Sequence, residues 1–313
     1  MQQKKCLLLP SNKFAYRKEL FIPMNILNNL KTRIKQKYFD RYLTIDQAKR
    51  ITPQAFLESI GVHLAHHCNL HCYSCDNFSQ LSKPGYYDIE VFERDLERLQ
   101  SITNGMIREF YLLGGEPLLN KQCSSYFNIV RKYFHHTEIH MITNAILLPK
   151  QNQHFWDSAR VNKVHIRPTK YPIDIDWETI KNKCKEEGVA LEFFNDEKVE
   201  KLSFKTSLDP EGKSIPFESF VNCHRANACT QLYNGKIYPC PPLAYINIFN
   251  EKFSQNLKQT PEDYIDIYQD GITYEKILDF LARPVPFCRY CKTKKMVYRP
   301  WLRSQKTLDE YFS

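Results

Sequence analysis

The sequence predicts an α/β protein: a parallel sheet, open or curled into a barrel, followed by a smaller cysteine-rich α+β module. Three observations carry this. From about residue 60, short apolar runs alternate with amphipathic stretches of helical period, the pattern of βαβ units. After about residue 215 the alternation stops and a hairpin signal replaces it. The cysteines bunch in the same two places, at 68–75 and between 223 and 291.

The elements follow in order. Residues 1–55 read as a basic extension with helical pieces, Asn25 to Tyr38 mixing Ile26, Leu27, Leu30 and Ile34 with basic residues. "GVHLAH" (61–66) is a strand. Ile89, Phe92, Leu96 and Leu99 fall at helical spacing behind Asp88, an N-cap type. "REFYLLGG" (108–115) is a strand, "SSYFNIVRKYF" (124–134) a helix, and "EIHMITN" (138–144) and "KVHIRP" (163–168) are strands. "WETIKNKCKEEG" (177–188) is a helix closed by Gly188, and "VALEFF" (189–194) a further strand. Chemistry in such folds gathers at the C-terminal strand ends, where Cys68, Gly114 and Asn144 fall.

In the second module, "CTQLYNGKIYPC" (229–240) is a hairpin with Asn234-Gly235 as a type I′ turn. A helix with Tyr274, Ile277, Leu278 and Leu281 on one face ends before Pro284, and "FCRYC" follows. The expected organisation is a 1–55 extension, a 56–215 α/β domain, a 216–300 cysteine-rich module and a 301–313 tail.

Bulk properties narrow the class. The 313 residues, 42% hydrophobic and 25% charged, suffice for a well-buried core. No apolar run approaches the roughly 18 residues of a membrane span, and "MQQKKCLLLP" is too short for a secretory signal. A cytoplasmic location is expected. In a reducing compartment, eleven cysteines, five of them in CxxC-type clusters, point to metal rather than disulfides. Cys6, Cys123 and Cys184 stand alone and read as plain thiols. The net charge of +9 gathers in the first fifty residues and in Cys291 to Arg303, as a solvated face or a surface for an anionic partner.

The chemistry starts at Cys68-x3-Cys72-x2-Cys75. A structural zinc wants four ligands, and His67 and His71 keep a Cys₃His zinc open. A cubane iron–sulfur cluster on three cysteines is the alternative, and it leaves one iron free for a substrate or cofactor. "LLGGEPLL" (112–119) then ends a hydrophobic run in Gly-Gly-Glu-Pro. Bare glycines allow close approach to a bound small molecule, and Glu116 offers an acceptor for a cationic amine.

Cys68, Cys72 and Cys75 followed by Gly114, Gly115, Glu116 and Pro117 resemble the radical S-adenosylmethionine (radical SAM) superfamily over roughly residues 60–200. The resemblance implies a partial (β/α)6 TIM-like barrel with a [4Fe–4S] cluster on the three cysteines. S-adenosylmethionine would chelate the fourth iron through its amino and carboxylate groups, with the Gly-Gly-Glu segment receiving the amino group. Thr143 and Asn144 match the family's polar position near this cofactor, and Arg167 is expected to pair with its carboxylate. One departure is Ser74, with Tyr73 beside it, where the family often has an aromatic residue before the third cysteine. The implied reaction splits the sulfonium to methionine and a 5′-deoxyadenosyl radical. The electron would come from a low-potential flavodoxin- or ferredoxin-like donor.

Cys223-x11-Gly235-x4-Cys240, closed by Cys288-Arg289-Tyr290-Cys291, resembles the auxiliary-cluster modules called SPASM and twitch. No cysteine follows Cys291, so the single-cluster twitch form is the nearer match, with one auxiliary [4Fe–4S] cluster on four thiolates. A Cys₄ zinc is the alternative. Cys229 is left over, as a core thiol or as a hydrogen-atom donor near the barrel mouth, while His224 and Arg225 adjoin the set without ligating. The implied function is hydrogen abstraction from a polar sugar- or aminocyclitol-like molecule, with oxidation or epimerisation assisted by the auxiliary cluster. A second enzyme reading is a maturase acting on a ribosomal peptide or a protein side chain. The reading of another class is a non-catalytic zinc-stapled nucleic-acid-binding protein. The paired motifs speak against it, so the expected partner is a small-molecule or peptide substrate and not nucleic acid.

Overall fold

The computed structural model describes residues 43–312 apart from 195, 196 and 199. Cys6 and the helical pieces expected between Asn25 and Tyr38 lie outside the described residues. Residues 46–313 form one compact unit.

A short helix, α1 (Ile45–Arg50), is followed by β1 (Leu57–Ala65), α2 (Ile89–Thr103), β2 (Ile107–Gly114), α3 (Cys123–Tyr133) and β3 (Glu138–Thr143). Next come α4 (Gln153–Val161), β4 (Val164–Pro168) and α5 (Trp177–Glu186). The four strands pair in parallel in the order β4-β3-β2-β1, each run of apolar residues giving a strand and each helical period a helix. Asp88 caps α2 through the amides of Glu90 and Val91, both at 2.9 Å. The helix buries Phe92, Leu96 and Leu99, each contributing about 2 kcal/mol by leaving water.

Strand residues alternate between the two faces of the sheet. Val62, Leu112, Met141 and Ile166 belong to the core beneath the helices. The opposite face carries a row in register, Tyr111 beside His140 beside His165, with Arg167 two residues further along β4. The same pairing aligns the strand ends, Gly114 opposite Ala65 and Thr143 opposite Pro168.

The strand expected at 189–194 is reduced to a bridge between Leu191 and Ile166. Three backbone bonds still hold this segment to the β4 edge: Ile166 to Ala190, Glu192 to Ile166 and Phe194 to Pro168. The chain then leaves the sheet, because β5 (Leu202–Leu208) pairs antiparallel with β9 (Cys291–Pro300) instead.

Between those partners lie α6 (Pro216–Val221), β6 (Gln231–Tyr233), β7 (Lys236–Tyr238), α7 (Pro241–Ala244), α8 (Ile246–Phe253), β8 (Ile265–Asp266) and α9 (Tyr274–Leu281). Asn234 and Gly235 both take positive φ, 48° and 69°, as a type I′ turn demands. Strand β6 lies parallel to β1 through Gly61 and Gln231, so one sheet runs β4-β3-β2-β1-β6-β7-β8. The hairpin therefore continues the barrel sheet across residue 215. Buried Asp95 locks it to α2, accepting from the Tyr87 hydroxyl (2.5 Å), the Gly235 amide (2.7 Å) and the Tyr268 hydroxyl (2.7 Å).

Residues 301–312, read from sequence as a tail, are built into the fold. Tyr311 packs with Phe78, Phe249 and Phe287 in a second core. Among the described residues, no helix is long and apolar enough to cross a membrane.

Candidate active site at the strand ends

The chain leaves β1 at Ala65 and winds through Cys68, Cys72 and Cys75. His71, Ser74 and Phe78 take left-handed φ values of 56°, 49° and 53°, each a strained choice for a residue with a side chain. The C-terminal segment holds this loop in place. The Tyr73 amide donates to the Leu302 carbonyl (3.0 Å), the Ser304 amide to the His71 carbonyl (2.8 Å) and the Ser74 amide to the buried Glu310 carboxylate (3.2 Å). Ser74 is thus a buried backbone anchor at the position where an aromatic residue was the family pattern.

Each sulfur has donors aimed at it. Cys68 Sγ accepts from the Leu70 amide at 3.4 Å, with the Asn144 side-chain amide at 3.9 Å. Cys72 Sγ accepts from Trp301 Nε1 at 3.3 Å, with the Tyr171 hydroxyl in its electrostatic neighbourhood. Burial is the main reason that the Cys68 and Cys75 thiols are pushed up to about 12.

The Gly114-Gly115 pair meets protein here. A Cβ on Gly115 would stand 2.0 Å from the His67 carbonyl oxygen, and one on Gly114 2.3 Å from that of Ala65. The Gly115 amide donates to Ala65 (2.8 Å) and the Glu116 amide to His67 (3.1 Å). The glycines expected to admit a bound molecule also press the end of β2 onto the backbone leading to Cys68. Glu116 differs from expectation more sharply. Its side chain is fully buried, accepting from the Leu118 amide (3.1 Å), the Thr143 hydroxyl (2.6 Å) and the Asn144 amide (2.8 Å). Its carboxylate ties β2 to β3 instead of standing open for an amine. Burial pushes its pKa up to about 7 against the pull of those three donors. Pro117 opens the short turn Pro117–Leu119 that follows.

Asn144 Nδ2 also donates to Asn69 Oδ1 at 2.7 Å. The fold therefore brings Cys68, Glu116, Thr143 and Asn144 into one network. Arg167 stands apart from it, on the sheet face with Tyr111, whose hydroxyl it approaches at 3.4 Å, and with its guanidinium 5.5 Å from the Phe194 ring centroid.

The second cysteine set converges from three segments. Cys223 follows α6, Cys240 follows β7, Cys288 sits within the short turn Pro286–Tyr290 after α9, and Cys291 opens β9. Cys223, Cys240 and Cys291 line one cavity with Ser74, Asp76 and Arg225. Cys288 lies within electrostatic reach of Cys240 and Cys223. Burial first, and the neighbouring thiols next, push the Cys240, Cys288 and Cys291 thiols well up. Arg225 is buried, with Nε donating to Asp76 Oδ2 at 2.7 Å. This ion pair joins the residue after Cys75 to the loop after Cys223, and no sequence signal announced it.

Cys229 is not at the mouth formed by the strand ends. Thr230 bonds Gly61 in mid-β1, and the Ser59 hydroxyl reaches the Ala228 carbonyl at 3.2 Å. Its thiol, raised to about 11 mainly by burial, neighbours Arg225 and Cys223. Parallel pairing of β6 to the middle of β1 sets that level. His67 Nδ1 accepts from the Gly85 amide at 3.4 Å, and His71 contributes its backbone to Ser304.

The donor chemistry fits iron–sulfur ligation. Among the described residues, the trio whose ligand atoms lie within 4.8 Å of one another is Glu109, Glu138 and His140, with no cysteine. Thiolates on one tetrahedral zinc, at about 2.3 Å each, stand roughly 3.8 Å apart. Among the described residues, no three cysteine sulfurs of either set all lie within 4.8 Å of one another.

Comparison with known proteins agrees with these motifs. The chain is 24% identical over 244 residues to a GTP 3′,8-cyclase of Campylobacter fetus subsp. fetus (strain 82-40), covering 72% of this chain and 75% of that protein. Similar solved structures include BtrN in complex with AdoMet and 2-DOIA, at TM-score 0.46 and 14% identity, covering 78% of this chain and 95% of that one. Another is anSMEcpe with bound AdoMet, at TM-score 0.36 and 21% identity, covering 44% of this chain and 42% of that one. Residues 62–187 match the family model of the radical SAM superfamily, whose members use a [4Fe–4S] cluster and S-adenosylmethionine. Residues 62–187, with the three-cysteine loop and the Gly-Gly-Glu-Pro strand end, are thus a radical SAM domain.

Proposed function

We propose that the protein abstracts hydrogen from a polar small molecule of the sugar or aminocyclitol class, and that a second cluster assists oxidation or epimerisation of that substrate. In this reading residues 56–215 are the catalytic barrel and 216–300 the auxiliary module. Cys68, Cys72 and Cys75 hold the first [4Fe–4S] cluster, and Cys223, Cys240, Cys288 and Cys291 hold the second. The observation that carries it is that Cys223, Cys240 and Cys291 line one cavity with Asp76, the neighbour of Cys75. Four protein thiolates leave no iron open for substrate, so the set suits electron exchange.

When bound, the first cluster and S-adenosylmethionine supply one-electron cleavage and hydrogen abstraction. The chain's own residues orient and enclose. The Gly114–Pro117 segment would hold the cofactor's amino group by its backbone, since the Glu116 carboxylate is enclosed. Asn144, already hydrogen-bonded beside Cys68, fixes the polar end of the cofactor. Tyr111, His140, His165 and Arg167, on the sheet face opposite the helices, offer a polar lining for a hydroxylated substrate. Burial lowers the His140 pKa and keeps its ring neutral, suited to hydroxyls as donor or acceptor. A flavodoxin- or ferredoxin-like protein is the expected electron donor.

The test is anaerobic purification followed by metal analysis and turnover. Roughly eight irons per chain without zinc, and 5′-deoxyadenosine formation that rises with an aminocyclitol or sugar, support the reading. Four irons, zinc in the second set, or stimulation only by a peptide or a nucleotide would sink it.

A further inference from the structure

Trp301 follows directly on β9, a strand that starts at Cys291 and ends at Pro300. Its indole Nε1 donates to Cys72 Sγ at 3.3 Å. Tyr171, half-buried in the loop after β4, sets its hydroxyl in the neighbourhood of the same sulfur, and the two rings meet edge-on with centroids 5.9 Å apart. The pair is held from several sides. Cys72 itself bridges to Arg303, the neighbouring Tyr73 amide bonds Leu302, and the Leu302 amide donates to the Ser203 hydroxyl at 3.1 Å. Cys68, by contrast, takes its short contact from an amide of its own loop. Cys72 is thus the sulfur of this loop that takes a hydrogen bond from Trp301 and has the Tyr171 hydroxyl beside it, both from distant parts of the chain.

Donors aimed at a ligating sulfur stabilise negative charge there, and more so when the bound cluster has gained an electron. We infer that Trp301 and Tyr171 are tuning residues: the Trp301 hydrogen bond to Cys72 and the Tyr171 hydroxyl beside it raise the reduction potential of the iron–sulfur cluster on Cys68, Cys72 and Cys75. The inference rests on the reading of those three cysteines as cluster ligands. Because Trp301 is placed by β9, the strand leaving the second cysteine set also positions a donor for the first.

The test is an oxygen-free potentiometric titration of the full chain, followed by the paramagnetic signal that changes when S-adenosylmethionine is added. Trp301→Phe and Tyr171→Phe each remove the donor and keep an aromatic ring in place. Each is expected to shift the reduction equilibrium about three- to tenfold toward the oxidised form, tenfold being 59 mV for a one-electron couple. The double variant should shift further, with iron content as in the parent. An unchanged potential in both single variants overturns the inference. So does a fall in iron content with the parent's potential in the remaining cluster, since the donors would then only hold the loop. A parent protein with no signal responsive to S-adenosylmethionine removes the cluster reading itself, before any variant is made.

Discussion

Replacing Glu116 with Gln sets two opposing effects against each other at a fully buried site. The carboxylate takes three donors: Leu118 and Thr143 on one oxygen, Asn144 on the other. Glutamine keeps one oxygen and must turn an amino group toward either the Asn144 amide or the Leu118 and Thr143 donors. One buried donor left without an acceptor costs about 1–3 kcal/mol, so the variant should be about 2 kcal/mol less stable where the parent is protonated. Burial, however, raises the Glu116 pKa to about 7 from its usual 4.5. The native state then keeps a proton that the unfolded chain has lost, and stability is whole below about pH 4.5 and falls as pH rises through 7. The full loss is about 3 kcal/mol. Glutamine does not titrate and lacks this slope. Urea unfolding of metal-free protein at pH 5, 6.5 and 8, followed by circular dichroism, should show the parent's advantage narrowing with pH, vanishing at about pH 6 and reversed by about 1 kcal/mol at pH 8. A gap that widens with pH would mean that the three donors outweigh burial, and the reasoning would fail.

Gly115→Ala places a methyl group 2.0 Å from the His67 carbonyl oxygen, which is backbone and cannot step aside. Iron bound at Cys68, Cys72 and Cys75 should be lost while that of the second set stays, a drop of about half in iron analysis. Asp95→Ala strands the Gly235 amide and two tyrosine hydroxyls. It should lose about 3 kcal/mol or more in thermal or urea unfolding, whereas an unchanged midpoint would deny the hairpin lock. Arg225→Met leaves Asp76 without its buried partner and should destabilise by about 3 kcal/mol. Adding Asp76→Leu should restore most of that loss, and a double variant as weak as the single one would refute the ion-pair account.

Local pattern made the βαβ half legible. The apolar alternation of "REFYLLGG", the helical spacing behind Asp88 and the Asn234-Gly235 turn each act within ten residues, and each forms as read. The sheet formed by β5 and β9 was invisible for the opposite reason. Its register pairs Leu202 with Pro300, and the lysine-rich "CKTKKMVYRP" carries no apolar face to mark it as a strand rather than a basic tail. The stretch 189–194 had the composition of a strand but found only the β4 edge to pair with, so it stayed a bridge.

The site divides along the same line. Cysteine spacing is a local signal, because ligands on one loop must sit at fixed offsets, and both sets could be picked out by position. What surrounds the sulfurs is not local. The donor on Cys72 comes from 229 residues away, the Asp76–Arg225 pair spans 149, and Glu310 reaches Ser74 across 236. Cys229 shows the converse, since nearness to Cys223 in sequence said nothing of its height along β1. All three long contacts run from the C-terminal third back to the first cysteine loop. The fold therefore makes the order of that loop depend on segments that begin at the second cysteine set. Loss of metal from the second set should loosen β9, and with it Trp301 and Leu302, before the barrel itself is touched. Hydrogen exchange on protein carrying Cys288→Ser and Cys291→Ser should accordingly rise at Tyr73 and Ser304 while the β2 and β3 amides stay protected. Equal protection at all four places would show that the two sets are held independently.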